Sequence, residues 1–218
     1  MIKSDAPEFT LSGGRHDPGE SNDMATEVSE QATEERLIRR RASVEEFWSL
    51  PESVLPTEYI DGEIIMAPSP TVPHQIALGN IYYALRTFVQ DKGGGGWIFC
   101  SPLDVVLPTG EVVQPDVFFL NARQTERTHK AERVREVPPF LVEILSPGSI
   151  THDTIRKRAL YERLGVRENW IVDVKERSIA QLVLRKKHYV LTELSAADTV
   201  RASVLAGFEM TVGELLGV

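Results

Sequence analysis

The sequence predicts a mixed α/β fold, an α+β mixed sheet flanked by helices. Three observations predict it. Short β-rich runs recur between residues 59 and 194, stretches of helical period at 74–89 and 151–164 interrupt them, and no internal repeat or low-complexity core is present. A hydrophobic fraction of 42% in 218 residues is enough to build a real core.

The first 35 residues are rich in Glu, Ser, Thr, Gly and Pro and hold few large apolar side chains, so burial cannot offset their ordering entropy. The expectation is a disordered acidic tail over 1–41 and one domain over 42–218. Met24 lies inside the tail as a candidate translation start that sequence alone does not decide. The charge is uneven. Residues 1–35 carry nine acids against Lys3 and Arg15, a balance of −7, whereas the rest of the −8 chain balances to −1. A polyanionic partner for the domain is therefore not excluded.

Order is expected to begin with a short helix near Ala42–Trp48, where Ser43 can cap and Glu46 stands three residues on. Tyr59-Ile60-Asp61-Gly62-Glu63-Ile64-Ile65-Met66 places β-forming residues around Asp-Gly, which predicts an N-terminal β-hairpin. After the breakers Pro68, Pro70 and Pro73, residues 74–89 repeat Ile76, Leu78, Ile81, Tyr82, Leu85 and Phe88 at helical spacing, and Gly93–Gly96 end the run. Those glycines follow no strand and lack a Lys-Ser/Thr ending, so they are read as a connection rather than a phosphate loop. Residues 97–107 and 112–120 form a second hairpin around Pro108-Thr109-Gly110-Glu111, and 140–145 is a third, largely apolar strand. Between them, 121–136 is polar and Arg-rich, a surface loop or short helix. Residues 151–164 predict a helix closed by Gly165. Strands at 169–174, 179–184 and 189–194 follow, with a short helix at 211–216.

Cys100 is the only cysteine and no apolar run could span a bilayer, which points to a cytoplasmic protein with no membrane partner. The amino terminus lacks the apolar stretch of a secretory signal.

An acid inside an apolar strand needs a partner or a cation. Asp116 sits in Val112-Val113-Gln114-Pro115-Asp116-Val117-Phe118-Phe119-Leu120, and Glu143 in Phe140-Leu141-Val142-Glu143-Ile144-Leu145. On neighbouring strands both carboxylates can face one side and hold a hard divalent cation through oxygen, with water and phosphate completing its shell. The plainer alternative for either acid is a structural salt bridge. Asp153, Lys157 and Tyr161 are spaced four apart on one helix face, where the plainer reading is an exposed ion pair.

The pattern resembles the PD-(D/E)xK nuclease superfamily, and the wider sequence resembles its Uma-type family of restriction endonucleases over roughly 43–218. The carriers are Glu58-Tyr59-Ile60-Asp61-Gly62-Glu63, Pro68-Ser69-Pro70 with His74, Gln114-Pro115-Asp116-Val117, Val142-Glu143-Ile144-Leu145-Ser146-Pro147, Asp153 with Lys157, and Tyr161 with Gly165-Val166 before Asn169-Trp170-Ile171-Val172-Asp173. The resemblance implies a restriction-endonuclease-like core, with Asp116 and Glu143 as metal-binding acids and Glu63 as the earlier acid. It also implies a Mg2+ (or Mn2+) cofactor, DNA as the partner and phosphodiester hydrolysis. One departure stands out. The Lys expected two residues after the strand acid is Leu145, and the resemblance passes that role to Lys157.

On this reading Asp116 and Glu143 hold the cation, and Lys157 holds or polarises a water. Arg123, Arg127, Lys130, Arg133 and Arg135 grip flanking phosphates. His74, Asp104 and Asp153 are supporting candidates, and Asp173 is a weaker one. His129, His152 and His188 have no metal-ligand spacing, and Ser146 and Ser149 lie in no nucleophile elbow. Two other classes remain open: a nuclease-fold protein that binds nucleic acid or a protein without cutting, and a metal enzyme acting on a small phosphorylated or acidic substrate. Cutting both strands of a duplex needs two sites, which a homodimer would supply.

Overall fold

The computed structural model describes residues 37–51, 55–92, 95–146 and 149–217. The acidic tail expected over the first residues lies almost wholly outside them, as do Gly93 and Gly94.

A strand is present four residues before Ala42, where the sequence reading places the start of order. β1 (Ile38–Arg41) pairs antiparallel with β3 (Glu63–Met66), Arg41 opposite Glu63. Three of the four residues of β1, Arg39, Arg40 and Arg41, are consecutive arginines. All four side chains of β1 are exposed, but its backbone completes the open edge of the predicted hairpin, β2 (Thr57–Ile60) with β3. The turn at Asp61-Gly62 takes positive φ at both residues, as a two-residue hairpin requires. α1 (Val44–Trp48) carries the expected capping box, Ser43 with Glu46.

α2 (Val72–Asp91) buries Ala77, Ile81, Leu85 and Val89 on one face. Each of the two β-rich runs that follow divides in two: β4 (Trp97–Cys100) and β5 (Val105–Val106), then β6 (Val112–Val113) and β7 (Val117–Leu120). Pro102 and Pro115 lack a ladder N–H and break both runs at the same level. The hairpin at 108–111 joins β5 to β6, and the same two runs pair again as β4 with β7 in another sheet. Asp116 stands at that crossing.

The sheets are β1-β3-β2-β6-β5 and β11-β10-β9-β8-β7-β4, and the pair β12-β13 was not anticipated from sequence. Here β8 is Phe140–Ile144, β9 Glu168–Asp173, β10 Ser178–Arg185, β11 His188–Ser195, β12 Thr199–Arg201 and β13 Glu209–Thr211. Within the six-stranded sheet only β8 and β9 run parallel. The crossover between them holds a π-helical turn, His152–Lys157, running into α4 (Arg158–Leu164), with Gly165 left-handed at its end. α3 (Ala122–Thr128) supplies the short helix of the Arg-rich stretch, and α5 (Val212–Leu216) ends the chain.

One core lies between the six-stranded sheet and the helices α2 and α5, with Ile81, Leu85, Val142, Trp170 and Leu215. A second lies on the other face, where Phe118, Leu141 and Ile171 meet Leu160 and Tyr161 of α4 and Ile60, Ile65 and Val113 of the smaller sheet. Alternation along β8 turns Val142 and Ile144 to the first core and Glu143 to the second. Among the described residues no helix is long and apolar enough to cross a membrane.

Candidate active site

Val117 pairs with Val142, so the next step of the antiparallel register sets Asp116 opposite Glu143. Directly opposed residues share a face. Asp116 Oδ2 accepts from the Ile144 amide at 2.7 Å, which closes the strand pairing through a side chain. His74, on the first turn of α2, sets Nε2 3.4 Å from the same oxygen. Burial works against the charged form of that imidazole, but the Asp116 carboxylate outweighs it and raises the His74 pKa.

Glu143 is 2% exposed. Tyr161 Oη donates to its Oε1 at 2.6 Å, and Lys157 Nζ lies 2.8 Å from its Oε2. Lys157 Nζ is also 3.0 Å from Glu58 Oε1 and 3.7 Å from Asp153 Oδ1. Glu58 accepts in addition from the Gln114 amide at 2.7 Å and pairs with His152 Nε2 at 2.9 Å. The π turn explains this clasp, because its wider i→i+5 hydrogen-bonded turn brings His152 and Lys157 closer to one face, toward Glu58.

These carboxylates differ in how they bear burial. Burial opposes ionisation of Glu58, yet Lys157 and His152 hold its carboxyl well below the usual range. For Glu143, burial and the nearby Asp153, Asp116 and Glu58 outweigh Lys157, and its pKa stands well above the usual range. Burial likewise raises Asp153, and it raises Tyr161 with Glu143 adding to the shift. Burial alone would neutralise Lys157, but Glu143 and Glu58 keep it protonated far past the usual lysine range.

Glu58, Asp116, Glu143 and Asp153 thus line, with one ammonium, a single cavity of about 100 Å³. His74 Nδ1, His152 Nδ1 and Gln114 Oε1 are buried in its wall without a hydrogen-bond partner among the described residues. Among those residues no three His, Cys, Asp or Glu side chains converge as a preformed metal cage; Glu58 and Glu143 turn onto Lys157 instead. A hard cation that keeps several waters needs only one or two carboxylates. Opposed Asp116 and Glu143, the latter short of compensating charge, fit that demand.

Of the residues singled out from sequence, Asp116, Glu143, Lys157, His74 and Asp153 meet here. Glu63 does not. It points to Arg156 Nη1 at 2.8 Å outside the cavity, and the earlier acid in the cavity is Glu58. The signal for Glu58 was its alternation with fully buried Ile60, the same argument that picks out Glu143. Asp104 touches the site only through Gln114, whose Nε2 donates to its Oδ1 at 2.8 Å. Asp173 accepts from the Glu176 amide in a turn. Leu145 lines a different cavity. None of the five basic residues of 121–136 lines the acid cavity. Arg127 pairs with Glu136 at 2.6 Å and Arg133 with Asp104 at 3.3 Å. Arg123, Lys130 and Arg135 are exposed.

No curated protein matches the chain. Among solved structures it is similar to a protein from Anabaena variabilis ATCC 29413 described as a "putative nuclease belonging to DUF820". The TM-score is 0.71 at 19% identity, covering 80% of this chain and 97% of that one. That likeness shows a shared fold. The model of the Uma2 family, described as "Putative restriction endonuclease", matches residues 44–213, and the chain belongs to that family.

Proposed function

We propose that the chain is a magnesium- or manganese-dependent endonuclease that hydrolyses DNA phosphodiester bonds. The observation that carries the reading is the convergence of Asp116, immediately before β7, and Glu143 of the neighbouring β8 on one cavity, with the Lys157 ammonium 2.8 Å from Glu143. Asp116 and Glu143 would hold the cation, with Glu58 beside them. When bound, it supplies Lewis-acid stabilisation of charge on the phosphate oxygens and acidifies a coordinated water. The chain's own part is positioning. His74 and the Ile144 amide fix Asp116, Tyr161 fixes Glu143, and His152 with the Gln114 amide fixes Glu58. Lys157 is the donor available to a water or a non-bridging phosphate oxygen, where a negatively charged diester most needs one.

Nicking of supercoiled plasmid tests the proposal. Wild type should convert it to the open circle with Mg2+ or Mn2+ and not with chelator, and Asp116→Asn should lose activity by roughly 10²-fold or more. Equal nicking with chelator present, or undiminished activity in the variant, refutes it. One observation favours a second reading, in which the protein binds nucleic acid or a protein partner without cutting. Lys157 spends its contacts on Glu58 and Glu143, while Leu145 stands where a strand lysine would supply another donor. DNA binding without nicking at any divalent-ion concentration would select it.

A further inference from the structure

A second cavity of about 320 Å³ lies beside the Arg-rich segment and is largely apolar, with Trp97, Phe99, Leu103, His129 and Arg133 among its walls. Trp97 is 42% exposed, unusual for so large an apolar ring. The Arg86 guanidinium sits 3.8 Å from its ring centroid, which fixes the indole through one face. Exposed Arg123, Lys130 and Arg135 stand on the segment that walls the cavity, with no ion-pair partner among the described residues. A line of contacts runs from the cavity wall to the acid cluster. Arg133 lies over the Trp48 ring at 4.6 Å and pairs with Asp104, which holds Gln114, which donates to Glu58. Arg133 and Gln114 both line the cavity of about 340 Å³ between these two.

Aromatic floor, unpaired cations and a line of contacts to the acids are what an unpaired nucleic-acid strand requires, with bases stacked on rings and phosphates followed by cations. A closed duplex offers no free base face to such a pocket. We infer that the Trp97 cavity is a subsite for an unpaired nucleobase of a single-stranded or locally opened substrate, linked to the acid cluster through the cavity that Arg133 and Gln114 line. This rests on the reading of the substrate as nucleic acid, and it commits that reading to a strand with unstacked bases.

Anisotropy titration of the full chain in chelator, so that nothing is cut, tests the subsite separately from cleavage. The probes are a labelled single-stranded oligonucleotide, the same strand with abasic sites, and the corresponding duplex. Wild type should bind the single strand more tightly than the duplex. Trp97→Ala should weaken single-strand binding by roughly 5- to 100-fold, the range for one lost stacking partner, and Trp97→Phe should restore most of it. On the abasic strand wild type and Trp97→Ala should bind alike, and the salt dependence should be unchanged because no phosphate contact is removed. Equal single-strand binding by Trp97→Ala and wild type overturns the inference. An equal loss on base-bearing and abasic strands also overturns it, because Trp97 would then act only through packing. Base-dependent binding without plasmid nicking would keep the subsite and refute only the cleavage reading.

Discussion

Replacing Glu143 by Gln separates a metal-binding acid from a structural one. Oε1 of the amide can keep the Lys157 contact while its NH2 donates to Tyr161 Oη, so both hydrogen-bonding positions at 2.8 and 2.6 Å remain filled. Lys157 keeps Glu58 at 3.0 Å. What is lost is one negative charge facing Asp153, Asp116 and Glu58, which already push the Glu143 pKa upward with burial. Without metal the variant should therefore be as stable as wild type to within about 1 kcal/mol. The pH dependence has a definite sign. Because the folded pKa is raised, the Glu143 contribution is full below the ordinary value of ~4.3 and is lost as pH rises through the folded value, so Glu143→Gln should gain on wild type as pH rises. Magnesium gives the second arm. With a Kd of ~1 mM assumed and ~10 mM added, mass action stabilises wild type by about 1.4 kcal/mol. For a domain of this size that is a rise in Tm of roughly 3–6 °C. Scanning calorimetry across pH and magnesium reads both arms. A wild type indifferent to magnesium, or a variant that responds as strongly, refutes the assignment.

Glu58→Gln should behave oppositely, because its carboxyl is held below the usual range. Its stabilisation is present above the unfolded pKa and disappears as pH falls through the folded one. The variant should lose about 3 kcal/mol at neutral pH in urea unfolding, with a smaller gap in acid; a pH-independent loss would point to packing instead. Glu63→Gln removes a partly exposed partner of Arg156 and should cost less than about 1 kcal/mol while leaving nicking within roughly 2-fold of wild type. A deeper loss of nicking would restore Glu63 to the site.

Much of the architecture was legible because burial imposes periods. The 3.6-residue repeat of α2 and the continuous apolar run of β8, whose two faces meet the two cores, follow from burial. Asp116 and Glu143 stood out as charges in apolar runs, and the fold places them opposite one another. The division of the two runs at Pro102 and Pro115 was harder to see, since each half still reads as strand and only the three-dimensional crossing sends the halves to different sheets. β12 and β13 are three residues each and too short to carry a period. The resemblance implies Glu63 as the earlier acid; the hairpin instead buries Glu58, which shares a strand face with Ile60 and accepts from the Gln114 amide.

The helix that carries Lys157 shows why the site, more than the fold, escapes a periodic reading. At ~100° per residue, five positions of a regular α-helix leave His152 and Lys157 about 140° apart, so only one of them could reach Glu58. The wider π turn over His152–Lys157 narrows that angle, and the two side chains contact the two oxygens of Glu58 at 2.9 and 3.0 Å. The regular period returns at α4, which lets Tyr161 fall four residues beyond Lys157 and donate to Glu143. One irregular turn thus ties the hairpin acid to the strand acid through a single ammonium. A sequence read at constant period finds Lys157 and Tyr161 but leaves His152 and Glu58 unpaired. Local irregularity of this kind costs stability in isolation. It persists here because four buried charged or polar groups would lose their partners if the helix relaxed.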